Sequence, residues 1–120
     1  MFTDLYHIKN IRFSEGTLGA SVTLRAGHAI FTGHFPGQPV LPGVCQLALV
    51  KDLLQIHLGK KLSMTRADQV KFMAMIDPRR TPDLEVSIQV SESEGITTAQ
   101  AVISCGDTVF LKSKARFADA

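Results

Sequence analysis

Residues 33 to 43 read Gly33-His34-Phe35-Pro36-Gly37-Gln38-Pro39-Val40-Leu41-Pro42-Gly43, and six of these eleven are Gly or Pro, out of nine Gly and five Pro in the whole chain. Proline fixes φ and offers no N–H, and glycine opens left-handed backbone, so neither a helix nor a strand ladder runs through such a stretch. A stiff loop of turns and extended pieces is predicted, and His34 is its single titratable side chain. The pattern changes at Val44. From there to about Leu58 the chain is mostly aliphatic, as suits a helix surrounded by other structure. Lys51, Asp52 and Gln55 form its clear polar stripe, and by helical angle Ala48 lies among them. Gly59-Lys60-Lys61 supplies a stop, with basic residues against the negative end of the helix dipole.

The segments on either side of the loop and helix read as strands. Residues 5 to 13 and 17 to 25 flank the polar turn Ser14-Glu15-Gly16, which predicts a hairpin. In its second strand Leu18, Ala20, Val22 and Leu24 alternate with Gly19, Ser21, Thr23 and Arg25, the signature of a half-buried strand. After the helix, apolar residues alternate at Val70, Phe72, Ala74 and Ile76, then at Leu84, Val86, Ile88 and Val90, then at Ala99, Ala101 and Ile103. A last set is Val109, Leu111, Ala115 and Phe117. Turns are predicted at Asp77 to Pro82, Glu92 to Gly95 and Gly106-Asp107. A hairpin, one buried helix and four meandering strands predict an α+β fold, an antiparallel sheet wrapped around the helix, as one domain over residues 1–120.

Composition narrows the function classes. With 13 basic and 11 acidic residues the net charge is +2, too balanced for a nucleic-acid protein and too evenly spread for a polybasic membrane tail. The longest apolar run falls well short of the roughly 20 residues that cross a bilayer. Cys45 and Cys105 are the two cysteines, and no basic-then-apolar leader opens the sequence, so a cytoplasmic, disulfide-free protein is expected. His7, His28 and His57 lack any special setting. No two histidines have metal-ligand spacing with a Cys or carboxylate, so neither zinc nor a cofactor is expected.

The run from His34 to Val44 resembles the hot-dog-fold 3-hydroxyacyl-acyl-carrier-protein dehydratases of fatty-acid synthesis and their relatives. Downstream, Val70-Lys71-Phe72 followed by Asp77-Pro78 looks like the segment that closes the acyl tunnel in that family. The resemblance implies a curved sheet around a central helix, assembled as a homodimer or higher homo-oligomer. It implies a substrate carried as an acyl-carrier-protein or coenzyme A thioester. It implies that His34 is the base and that the Gly43 N–H binds the thioester carbonyl. The family's helix carboxylate, which reaches the site from the partner subunit, falls on Ala48 here, and its water-holding Gln one turn later falls on Asp52. Phe35, Pro42, Val44, Gln46, Ala48 and Phe72 are expected along the substrate's path.

The chemistry agrees with the residue types. Dehydration removes a weakly acidic proton beside a carbonyl, a task for an imidazole titrating near neutrality. Charge then develops on the thioester oxygen, where unpaired N–H groups at the start of a helix stabilise it. Two readings are open for Asp52: a solvated residue beside Lys51, or a catalytic carboxylate moved one turn along its face. Two are open for Cys45, a buried small side chain or a thiol activated at the helix start. Lys112, Lys114 and Arg116 share one face of the last strand, either as a solvated surface or as a landing area for an acidic carrier protein. Thioester hydrolysis and non-catalytic acyl binding are the rival functions.

Overall fold

The computed structural model describes residues 4–32 and 37–120. A six-stranded antiparallel sheet runs in the order β1-β2-β4-β5-β6-β3. Its strands are β1 (Tyr6–Ser14), β2 (Thr17–Leu24), β3 (Leu62–Phe72), β4 (Asp83–Ser93), β5 (Ile96–Cys105) and β6 (Thr108–Asp119), and helix α1 (Gly43–Leu58) lies between β2 and β3 in the chain. The hairpin β1–β2 forms within a residue of the predicted limits. At Glu15-Gly16, and again at Glu94-Gly95, both turn residues have positive φ, the backbone that matches the twist of a tight hairpin.

Sheet and helix share one core. Leu18, Ala20, Val22 and Leu24 of β2 are buried with Leu84, Val86 and Ile88 of β4 and Ala99, Ala101 and Ile103 of β5. The helix turns Cys45, Gln46, Leu49, Val50, Leu53 and Leu54 into that layer. It ends as predicted, with Gly59 at φ 67° donating its N–H to the Gln55 carbonyl, a left-handed cap that a side chain would strain. This wrapped helix is the hot-dog arrangement.

Two expectations are corrected. The strand predicted around Val70 to Ile76 begins at Leu62 and ends at Phe72, and it does not neighbour β4. It crosses to the far edge and pairs with β6, so only β4, β5 and β6 form a meander. Register shifts between Met64 and Arg66 and between Ala67 and Gln69 leave Thr65 and Asp68 as extra residues, and such bulges break the period of two on which the strand signal depends. Ala74 and Ile76 lie beyond the ladder, although Ile76 is fully buried. In β6 the inward set is Phe110, Leu111, Ala115 and Phe117, with Val109 only partly covered. Phe110 is extra between the pairs Ile103–Leu111 and Ser104–Val109, which lets two successive side chains face the core.

Candidate active site at the opening of the helix

The backbone at the start of α1 is held from two directions. The Leu41 N–H donates to the Ile76 carbonyl at 2.9 Å, and the Pro42 carbonyl accepts from the N–H groups of Cys45 and Gln46. Pro42 caps the helix with extended backbone and no side-chain bond. The N–H groups of Gly43 and Val44 therefore have no acceptor among the described residues, and they stand at the positive end of a 16-residue helix. Such groups bind a developing negative charge.

Gly43 is needed there for space. A Cβ on it would stand 2.6 Å from Cζ of Phe72, so the Phe72 ring rests on the glycine. The sequence placed both residues in the site, and the fold brings them together although β3 enters from the opposite edge of the sheet. Phe72 is 50% exposed and Val44 63%, so the helix opening is a half-open apolar surface. His34 and Phe35 lie outside the described residues.

Gln46 is buried, and its Nε2 donates to the Leu41 carbonyl at 3.3 Å. Its Oε1 is buried with no partner among the described residues. Cys45 is fully buried and burial pushes its thiol up from the ordinary range, which removes the activated-nucleophile reading.

Along the outward stripe of α1, Ala48 and Asp52 are both partly covered. Asp52 is bound within its own chain: the Tyr6 hydroxyl donates to its Oδ2 at 2.5 Å. Sequence reasoning missed Tyr6, and no local signal points to it, since the two residues are 46 apart in the chain. Burial, followed by the bond to Asp52 and that carboxylate's charge, raises the Tyr6 phenol well above its ordinary range. A free tyrosine ionises near about 10, so above that pH the unfolded chain releases a proton that the folded chain keeps. Stability supplied by this group is complete below about pH 10 and is lost as pH rises further. Tyr6 is the sole tyrosine, so the near-ultraviolet tyrosinate absorbance reports it alone. The native protein is expected to stay unionised at a pH where the urea-unfolded chain has titrated, and coincident titrations would show that the bond to Asp52 is not made.

Of the basic triplet on β6, Arg116 is engaged: its Nε lies 3.1 Å from Asp68 Oδ2, and Asp68 Oδ1 also receives Arg66 at 2.8 Å. Lys112 and Lys114 make no ion pair among the described residues, and Lys71 of β3 stands directly opposite Lys112. Phe13 of β1 stacks on His57, ring centroids 4.3 Å apart, which gives that histidine a packing role. Among the described residues no cluster of His, Cys, Asp or Glu is arranged to hold a metal ion. No helix of the described residues is long and apolar enough to cross a membrane.

Known proteins share this architecture. The solved dehydratase heterocomplex ApeI:P from Xenorhabdus doucetiae superimposes with a TM-score of 0.75 at 24% identity, covering 93% of this chain and 96% of that one. A putative thioesterase, yhdA from Lactococcus lactis, reaches 0.67 at 10% identity over 98% of this chain and 93% of its own. In sequence, the 3-hydroxyacyl-[acyl-carrier-protein] dehydratase FabZ of Haemophilus influenzae (strain 86-028NP) is 31% identical over 111 residues, 85% of this chain and 74% of that protein. FabZ of Chloroflexus aggregans is 31% identical over 100 residues, 78% and 69% of the two chains. The ApeI-like family, described as ApeI dehydratase, matches residues 10–114, and with the motif loop, the helix and most of the sheet inside that span, the chain belongs to the ApeI-like dehydratase family.

Proposed function

We propose that this chain dehydrates 3-hydroxyacyl thioesters, carried on an acyl carrier protein or on coenzyme A, to trans-2-enoyl thioesters. The carrying observation is the opening of α1. N–H groups at Gly43 and Val44 that have no acceptor among the described residues, with Phe72 against the glycine, form a place where a thioester oxygen gains charge at little cost. His34, at the head of the same loop, removes the proton next to the carbonyl. Asp52, with Oδ2 fixed by Tyr6 and Oδ1 without a partner among the described residues, orients the departing hydroxyl, and the proton that His34 takes up is passed to that hydroxyl so that it leaves as water. Pro42, Val44, Gln46, Ala48, Phe35 and Phe72 line the acyl path.

The working unit is a homodimer in a cytoplasmic setting. β3 is an edge strand in the isolated chain, and Val44, Phe72 and Met73 beside it leave large apolar side chains in water, as an unfilled interface does. A second arrangement is favoured by Ala48. The ApeI:P relative is a heterocomplex, and a different hot-dog chain opposite this helix would supply a carboxylate that this one lacks. Thioester hydrolysis rests on likenesses at about a tenth identity, which carry the fold alone.

The test is to fractionate the protein by mass with light scattering and incubate the fraction at or above twice 13.1 kDa with 3-hydroxyacyl thioesters. Enoyl formation, water addition in reverse and free thiol are followed together. Enoyl product without free thiol is expected. Free thiol without enoyl product would select hydrolysis, and carrier binding without either would select an acyl-binding protein. A monomer that is fully active would reject the shared-interface arrangement.

A further inference from the structure

Beside the motif loop, residues Gly37 to Val40 and the segment from Met75 to Thr81 enclose a groove of about 460 Å³. Both walls are fixed. The Leu41–Ile76 hydrogen bond ties them together, and the Asp77 carbonyl accepts from the N–H groups of Arg80 and Thr81 at 3.1 and 2.8 Å. Arg79 is spent inside this turn, its side chain and N–H both bound to the Asp77 carboxylate. That bonding lowers the carboxyl from its ordinary range and offsets the charge of Arg79. Arg80 makes no ion pair or hydrogen bond through its side chain among the described residues, and it acts on Asp77 only at range. One guanidinium without a direct partner among the described residues therefore lines the groove with Thr81, Gln38 and Met75, the last 79% exposed.

We infer that this groove binds the 4′-phosphate end of the pantetheine arm that carries the acyl group, with Arg80 as its cation. The inference rests on the thioester reading above. The chemistry is shared by both carriers, because an acyl carrier protein and coenzyme A each join the arm through a phosphate. A planar guanidinium forms paired, charge-assisted hydrogen bonds with such a group. Val40, on the groove wall, is three residues from Gly43, which sets the groove beside the helix opening; in this assignment the phosphate binds in the groove, the thioester lies at the helix opening, and the Met75 thioether lies along the arm.

The experiment compares Arg80→Gln with the parent on three thioesters of one acyl group: carrier-bound, coenzyme A and N-acetylcysteamine, which has no phosphate. A lost charge-assisted bond is worth roughly tenfold or more in affinity. The ratio of kcat/KM on each phosphate-bearing substrate to that on the phosphate-free one should fall by that factor, through KM. A fall with the carrier alone would mean that Arg80 touches the carrier's protein surface. A fall with coenzyme A alone would mean that it reads the nucleotide phosphates. Either result, or an unchanged ratio, overturns the assignment. Should the protein turn over none of the three, the dehydratase reading fails, and calorimetric titration with pantetheine 4′-phosphate and with pantetheine decides the groove separately. Tighter binding of the phosphate form, lost in Arg80→Gln, upholds it, and equal binding of the two by the parent removes it.

Discussion

Replacing His34 by alanine or asparagine should lower kcat by about 10²–10⁴ and leave the unfolding temperature close to that of the parent. A positioned general base supplies a factor of that size. The loop's shape comes from its Gly and Pro residues, none of which is altered, so removing the imidazole removes chemistry before structure. In the parent, kcat/KM on a 3-hydroxyacyl thioester should rise with pH as a general base loses its proton, and that limb should vanish in His34→Asn. Steady-state kinetics over pH, with thermal unfolding measured alongside, check both statements. A folded His34→Ala protein that keeps its rate would remove the histidine from the mechanism and reopen hydrolysis by a bound water.

What could be read in the sequence follows the strength of each local signal. Gly59 after an aliphatic run gave the helix end, because one glycine in left-handed backbone suffices. Leu18 to Leu24 gave a buried strand because four apolar residues at period two survive into the fold without interruption. The first half of β3 escaped, since its residues from Ser63 to Ala67 are exposed and two bulges disrupt its alternation. The edge position of β3 has no local signature at all. It is set by where the crossover lands, and a meander and a crossover write the same turns between the same strands.

The site divides in the same way. The helix opening at Gly43 was legible because its backbone is enforced locally by Pro42 and Gly43. The resemblance put Phe72 and Gly43 in one site, but their contact is a finding of the fold, and the spacing alone does not contain it. Tyr6 with Asp52, and Arg80 with residues 37–40, join segments far apart in the chain. Pairing of that kind depends on tertiary packing, which periodicity does not encode. The polarity of Lys112, Lys114 and Arg116 was read correctly, but Asp68, carried on a bulge, takes Arg116 out of the set.

Asp52→Asn should lose activity about as severely as His34→Ala, while Ala48→Glu should change little or crowd the acyl path. From residue 48 to residue 52 the helix rises about 6 Å, too far for a carboxylate to act in the same place unaided. The bond from Tyr6 changes that balance, because it fixes Oδ2 and leaves Oδ1 to meet the substrate's hydroxyl directly or through one water. Tyr6→Phe removes the anchor and keeps the carboxylate, so it should lower kcat by roughly tenfold, the worth of one hydrogen bond to a charged group. KM should move little in that variant. A purely structural Tyr6 would instead lower thermal stability and leave kcat per folded molecule intact. The opposite pattern is equally readable. If Asp52→Asn is neutral, the isolated protein slow, and Ala48→Glu faster than the parent, then the acid belongs to another chain packed against this helix, and Asp52 with Tyr6 is only a brace between α1 and β1. Measuring the three variants side by side, as homo-oligomers of confirmed mass, distinguishes a carboxylate moved one turn along its helix from one supplied by a partner.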